Sequence, residues 1–141
     1  MEIRSEVPSK YGGPLRQTDC PFCDPDFATR AIDRVGDMLV VPDLYPVTSG
    51  HLLIVPVEHF PGFFDLPEDL RRSADLLLIK HRSRILAEDP MVTGFNVGMN
   101  CGVSAGQTVM HAHIHLIPRR EGDTPQPRGG VRGCVPEKMG Y

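Results

Sequence analysis

The sequence lacks the features of a membrane protein, a disulfide scaffold or a general nucleic-acid binder. No apolar run approaches the ~20 residues of a membrane-spanning helix, and residues 1–10 contain no apolar signal-peptide region. Fifteen basic and eighteen acidic residues give a net charge of −3, without a basic block. Only four cysteines occur in 141 residues, which favours metal binding or free thiols over disulfides. We therefore expect a cytoplasmic protein that binds neither membranes nor nucleic acids.

The glycines and prolines, 14 of each, divide the chain into three parts. More than half of them lie near the two ends, where they disfavour regular structure. We expect an irregular arm over residues 1–18, one folded domain over 19–120 and a Gly/Pro-rich basic tail over 121–141. The tail residues Arg128 and Arg132 have two interpretations, either contact with phosphate groups or a solvated or dimer-packing role.

Hydrophobic patterning predicts five strands and one main helix. The strands are expected over residues 28–35, 38–41, 51–57, 94–100 and 108–117, with a Gly36-Asp37 turn between the first two. An apolar stripe predicts a helix over 67–87, which Pro90 ends. We expect His81 of this helix to lie at the helix surface and to bind no ligand. Five strands with a helix between the third and fourth indicate an α+β fold with an antiparallel sheet.

Three histidines alternate with apolar residues in the last predicted strand. Because side chains alternate between the faces of a strand, His111, His113 and His115 should share one face at spacings of ~6.6 Å. A neutral imidazole is a nucleophile when an acceptor holds its other N–H. The glycine-containing loop at 102–108 supplies backbone N–H groups for an anion. This combination favours an enzymatic site over a polar strand face or a metal site built from the three histidines.

These segments resemble the signature of the histidine triad (HIT) superfamily. Gly106-Gln107-Thr108-Val109 precedes the His-x-His-x-His motif as it does in the family, and Pro-Arg follows the apolar residues after it. Residues 50–56, with the sequence GHLLIVP, and His59 are similar to the family's other hallmark strand. Asn100 falls where the family usually has an active-site Asn. The match spans about residues 20–119, and His115 in place of Gln favours the Hint- and Fhit-like hydrolases over the transferase branch.

The resemblance implies a HIT-like homodimer that hydrolyses nucleotides at the α-phosphate without a catalytic metal. The expected substrates are dinucleoside polyphosphates such as diadenosine tetraphosphate, or nucleoside phosphoramidates. By analogy, His113 would form a nucleotidyl-histidine intermediate, His115 would bind the phosphate or leaving group, and His51 would orient His113. The resemblance also implies a set of substrate-binding residues. Asn100, Gln107 and Thr108 would contact the phosphate, and Asp43 would contact the ribose. Leu44 and Phe22 would contact the base.

Cys20-x-x-Cys23 has the spacing of one edge of a tetrahedral zinc site. A redox pair or simple turn residues are the alternatives, although no βαβ context supports a redox motif. Resemblance to bacterial family members implies His59 and His111 as the other two ligands of a structural zinc ion. Cys101 and Cys134 are expected to be ordinary thiols.

Other functions remain compatible with the sequence. A phosphorylase uses a similar site, because only the second attacking group, phosphate or water, differs. A non-catalytic nucleotide-binding protein and a protein whose triad coordinates zinc are the remaining alternatives.

Overall fold

The computed structural model describes residues 9–13 and 15–141. Residues 1–8 and Pro14 of the predicted arm lie outside the described part. Two helices and five strands follow in the order α1 (Pro25–Thr29), β1 (Asp33–Val35), β2 (Met38–Pro42), β3 (Leu52–Pro56), α2 (Glu68–Glu88), β4 (Val92–Gly98) and β5 (Ile114–Arg120). Single-turn 3-10 segments lie at Phe63–Asp65, Val103–Ala105, Gly130–Cys134 and Pro136–Lys138. No helix in the described ranges is long and apolar enough to cross a bilayer.

The five strands form one antiparallel sheet in the order β1-β2-β3-β5-β4. The predicted α+β class, with five strands and one main helix, is confirmed. The predicted Gly36-Asp37 turn is also confirmed, since Val35 pairs with Met38 across it. Gly36 has a φ of 55°, a conformation that favours glycine in a tight hairpin.

The central strand β3 is buried on both faces, as its continuous apolar run predicts. On one face, strand residues pack with Leu70, Ala74 and Leu77 of α2 in the main core. On the other face, Leu53 and Val55 pack with Phe27 of α1. This second, smaller core places the segment that follows Cys23 against the sheet.

Two predicted element boundaries are wrong. The strand predicted over 28–35 begins only at Asp33, because Pro25–Thr29 forms the short helix α1. Asp24 accepts a hydrogen bond from the Asp26 backbone N–H (2.9 Å), and Pro25 begins the helix. The last strand begins at Ile114 rather than near Thr108. His111 and His113 therefore lie in irregular backbone just before the strand.

The prediction that His81 lies at the helix surface is wrong. His81 is 3% exposed and donates from Nε2 to Asp33 Oδ2 (2.8 Å), while Arg84 Nε donates to its Nδ1 (3.1 Å). Lys80 also pairs with Asp33 (2.7 Å), and these two partners lower the pKa of the Asp33 carboxyl to about 2. Because both ring nitrogens have partners, His81 can be buried between α2 and β1 without an unsatisfied polar atom.

The tail folds mainly on itself. Arg132 donates from Nε and Nη2 to the Lys138 carbonyl at 3.1 and 2.9 Å. The guanidinium groups of Arg128 and Arg132 each lie 5.0 Å from the Tyr141 ring centroid. Gly129 has a φ of 102°, and a Cβ there would lie 2.2 Å from the Met139 carbonyl oxygen, so only glycine fits.

Candidate active site and metal centre

His51 lies at the end of the loop that leads into β3, and its partners assign its tautomer. The Val47 backbone N–H donates to His51 Nδ1 at 3.0 Å. The proton of the neutral ring is therefore on Nε2, which lies 2.9 Å from His115 Nδ1 and 3.5 Å from Asp43 Oδ2. His51 Nε2–H donates to His115, and His115 in turn carries its own proton on Nε2.

His113 is held in the opposite tautomer. Its Nδ1–H donates to the His111 backbone carbonyl at 2.8 Å, which leaves the Nε2 lone pair free in a neutral ring. The His113 and His115 ring centroids are 5.2 Å apart, and His113 is half-buried. The site thus presents one bare ring nitrogen beside one N–H donor, which is the arrangement that nucleophilic attack on phosphorus requires.

The three triad histidines do not share one environment. His113 and His115 face each other, whereas His111 is fully buried and directed towards the two cysteines. His51 contacts His115 directly and reaches His113 only through it. The resemblance implies that His51 helps to orient His113 through the relay, and in the structure the His111 carbonyl also holds the His113 ring.

Gln107 is buried, and its side chain is hydrogen-bonded within the protein. It is 5% exposed, and its amide donates to the carbonyls of Pro61 (2.6 Å) and Val109 (3.0 Å). Its Oε1 accepts from the Gly102 N–H (2.8 Å), and its own backbone N–H donates to the Gly102 carbonyl. Since every N–H of Gln107 already has an acceptor, this side chain shapes the loop rather than offering a donor to phosphate.

The other predicted substrate residues differ in their exposure. Asn100, Thr108 and Leu44 are exposed, the last with 65% of its surface accessible. Asp43 is half-buried and accepts a hydrogen bond from the Tyr45 N–H (2.8 Å). Phe22 packs edge-on against His113, with ring centroids 5.0 Å apart.

Cys20, Cys23, His59 and His111 form a cluster that could bind a metal ion. Cys23 Sγ lies 3.3 Å from His59 Nδ1 and 3.5 Å from His111 Nδ1, and Cys20 Sγ lies 3.5 Å from His111 Nδ1. Tetrahedral zinc, with Zn–S of ~2.3 Å and Zn–N of ~2.0–2.1 Å, places S and N ligands ~3.5 Å apart. The separations of these atoms therefore fit zinc.

Hydrogen bonds with neighbouring groups orient two of the candidate metal ligands, His111 and Cys23. His111 donates from Nε2 to the Pro56 carbonyl (2.8 Å), so its Nδ1 lone pair faces the sulfur atoms. The Gln17 backbone N–H donates to Cys23 Sγ at 3.4 Å. Burial raises the pKa of the Cys23 thiol to about 11. A bound cation is therefore what would keep this sulfur as a thiolate at neutral pH.

Asp43, His51 and His115 form a second group whose polar atoms lie close together. The Val47 N–H occupies the Nδ1 lone pair of His51, so the Nε2 atom that faces His115 carries a proton. A protonated ring nitrogen is not a metal ligand. This group is therefore a hydrogen-bonded relay, in contrast to the cysteine-containing cluster.

Burial, followed by the charges of His113 and His51, lowers the pKa of His115 to about 4 from its ordinary value of 6.5. Between these values the unfolded chain binds a proton that the folded chain excludes, so stability is complete above about pH 6.5 and falls towards pH 4. We expect the urea midpoint to fall over this range. His115→Gln should show a shallower fall, because glutamine does not titrate. Identical slopes for the two proteins would contradict a neutral, half-buried His115.

Residues 27–122 match the HIT domain family. The chain belongs to the HIT family. Among curated HIT relatives, it is 40% identical over 85 residues to the nitrilase and fragile histidine triad fusion protein NitFhit of Caenorhabditis elegans. It is 38% identical over 85 residues to AP-4-A phosphorylase of Mycobacterium tuberculosis. These matches cover 60% and 59% of this chain but only 19% and 43% of the relatives' lengths.

Solved structures of the family have the same fold. A HIT family protein from Bacillus anthracis superposes with a TM-score of 0.68 at 32% identity, covering 75% of this chain and 77% of that one. A Zn-bound histidine triad family protein from Mycobacterium smegmatis superposes with a TM-score of 0.64 at 27% identity, covering 82% and 90%. A zinc-containing member therefore exists among the structural neighbours.

The sequence did not predict the hydrogen bonds that assign the histidine tautomers. They involve the Val47 N–H and the carbonyls of Pro56 and His111. Every residue carries these main-chain groups, so no residue type marks them in advance. The sequence does contain a signal for helix α1, which buries Phe27. The pair Asp24-Pro25 is typical of the start of a helix.

Proposed function

We propose that the chain is a nucleotide hydrolase that attacks the α-phosphate of its substrate through His113. The observation that carries the proposal is the complementary protonation of the two facing rings. His113 has a bare Nε2, and His115 has an Nε2–H. One ring can attack phosphorus while the other donates to a phosphate oxygen or to the leaving group.

In the first step, the Nε2 lone pair of His113 forms a bond to the α-phosphorus, and the bond from phosphorus to the leaving oxygen or nitrogen breaks. The His115 Nε2–H is proposed to donate a hydrogen bond to the departing group, which takes the proton it needs from solvent, while His51 donates to the other nitrogen of the His115 ring. The His111 carbonyl keeps its bond to His113 Nδ1–H and stabilises the positive imidazolium of the intermediate. Water then attacks phosphorus and releases one proton to the solvent, the P–N bond breaks, and His113 regains its lone pair.

The predicted substrate contacts become proposals with one revision. Asn100 and Thr108, which are exposed, are proposed to donate to phosphate oxygens. Asp43 is proposed to accept from the ribose hydroxyls, and Leu44 and Phe22 to contact the base. Gln107 is proposed to support the loop, because its N–H groups are already bonded within the protein.

Zinc is proposed as a structural ion held by the two cysteines with His59 and His111. The supporting observations are the ligand separations and the direction of the His111 Nδ1 lone pair. When bound, zinc would supply a closed four-ligand crosslink between the Cys20–Cys23 turn and the histidine segments.

We also propose a homodimer through the side of the molecule formed by α2 and β4. Strand β4 is a sheet edge, and Val97 on it is 49% exposed. Beside it lies a cavity of about 410 Å³ lined by Leu78 and Ile79 of α2. An exposed apolar face beside the edge of a sheet is typical of an interface between chains.

Phosphorolysis is the second candidate, because one relative is named an AP-4-A phosphorylase. The two reactions share the His113 adduct and differ in whether water or inorganic phosphate attacks it. A panel of diadenosine polyphosphates and adenosine phosphoramidate, with and without phosphate, distinguishes them. We expect AMP release without phosphate. Turnover that requires phosphate and yields a nucleoside diphosphate would favour the phosphorylase, and no turnover would contradict both.

A further inference from the structure

His111 connects the cysteine-containing cluster to the nucleophile His113, because its side chain contacts the cysteines and its backbone carbonyl contacts His113. Its side chain directs Nδ1 at both sulfur atoms, and its backbone carbonyl accepts the Nδ1–H of His113 (2.8 Å). The group that assigns the tautomer of His113 therefore belongs to a residue of the proposed metal site. Any movement of the His111 backbone changes this hydrogen bond directly.

The backbone around His111 is buried in the core but has few hydrogen bonds among the described residues. Residues 111–113 precede β5, so no strand ladder holds them. A single backbone bond, from the Ala112 N–H to the Phe60 carbonyl (2.6 Å), ties this segment to the residue after His59. The side chain of His111, held at Pro56 and at the cysteines, is thus a principal anchor of its own carbonyl.

Phe22 makes a second, independent connection. It lies between Cys20 and Cys23 in a turn, and its ring stacks on Phe27 with centroids 4.5 Å apart. The same ring meets His113 edge-on at 5.0 Å and 88°, and His111 at 5.8 Å and 77°. These near-perpendicular contacts restrict rotation of the His113 ring about its side-chain bonds.

We infer that Phe22 is a positioning residue for His113 and that metal binding at the cluster keeps the nucleophile in its reactive tautomer. The ligand of the cluster is a divalent cation that accepts two thiolates and two imidazoles. Without it, the cysteine turn and the His111 carbonyl are free to move, and the His113 ring exchanges tautomers. The inference rests on the proposed function of His113.

The first test measures the tautomer without substrate. NMR of the full chain with isotope-labelled histidine should show His113 protonated at Nδ1 alone in the zinc-loaded protein. Phe22→Leu, with its zinc content verified, and the metal-stripped wild type should each show a mixture of both tautomers. Phe64→Leu is the matched control, because Phe64 is 83% exposed and lies outside the site.

The second test separates positioning from base binding. Phe22→Leu should lower kcat by about 10-fold or more, since small displacements of reacting groups have large effects on rate. Phe22→Tyr keeps the ring edge and should restore kcat. If KM alone rises in Phe22→Leu, Phe22 only contacts the base and the inference is wrong.

The tautomer measurement decides the inference even if the function is different. Wild-type tautomer populations in both Phe22→Leu and the metal-stripped protein would overturn it, whatever the activity. If removal of the metal unfolds the chain, the tautomer population of His113 in zinc-loaded Phe22→Leu decides the inference alone. Absence of turnover on every nucleotide would instead contradict the proposed function, and the NMR comparison would still report whether Phe22 positions His113.

Discussion

His113→Ala is expected to lower nucleotide turnover by at least ~10⁴-fold while the chain stays folded, with a slightly lower melting temperature and an unchanged zinc content. The side chain is half-buried and forms one hydrogen bond, to the carbonyl of the buried His111. Its removal leaves that carbonyl without this donor, which costs about 1–3 kcal/mol in the free energy of unfolding. It supplies the only free imidazole lone pair among His51, His113 and His115. Steady-state kinetics, thermal unfolding and elemental analysis together measure the three quantities.

His81→Asn is the matched control for loss of a histidine. It disrupts the contacts to Asp33 and Arg84, so we expect a loss of about 1–3 kcal/mol in the free energy of unfolding. Because His81 lies between α2 and β1, kcat of the folded enzyme should remain at the wild-type value. Turnover by His113→Ala within 10-fold of wild type would remove His113 from the mechanism.

Cys23→Ala is expected to lose its zinc and to unfold at a much lower temperature. A ligand present at 1,000 times its Kd stabilises the folded state by about 4 kcal/mol. For a domain of this size, roughly 3 °C of Tm corresponds to each kcal/mol, so Tm should fall by about 12 °C. Elemental analysis should give one zinc per wild-type chain and well under one per Cys23→Ala chain.

The chain offers two control thiols for this experiment. Cys101 is half-buried and Cys134 is exposed, and both lie outside the cluster. Cys101→Ser and Cys134→Ser should keep zinc and Tm at wild-type values. A wild-type protein with far less than one zinc per chain, or a Cys23→Ala variant that retains zinc, would contradict the structural zinc site.

The fold was predictable where sequence periodicity and burial agree. The apolar run of β3 and the stripe of α2 indicate two-sided and one-sided burial respectively, and the structure shows both. Strand alternation correctly places Ala112, Ile114 and Leu116 in the core. Alternation alone does not indicate that the His111 side chain is directed towards the cysteines, because that contact depends on the distant Cys20–Cys23 turn.

The sequence predicts which residues form the candidate site, but it does not predict the hydrogen bonds among them. Recognition of the motif picks out His51, His113 and His115, whereas the tautomers depend on main-chain groups that every residue has. Gln107 illustrates the same limit. Its residue type suits a phosphate donor, yet the nearby carbonyls of Pro61 and Val109 already accept its amide hydrogens.

Detection of the covalent intermediate tests the central claim most directly. A rapidly quenched reaction, digested and examined by mass spectrometry under conditions that preserve P–N bonds, should show a nucleoside monophosphate on His113. His113→Ala should show no adduct on any peptide. Wild-type enzyme that turns over substrate with no adduct at His113, or with the adduct on another residue, would contradict the account.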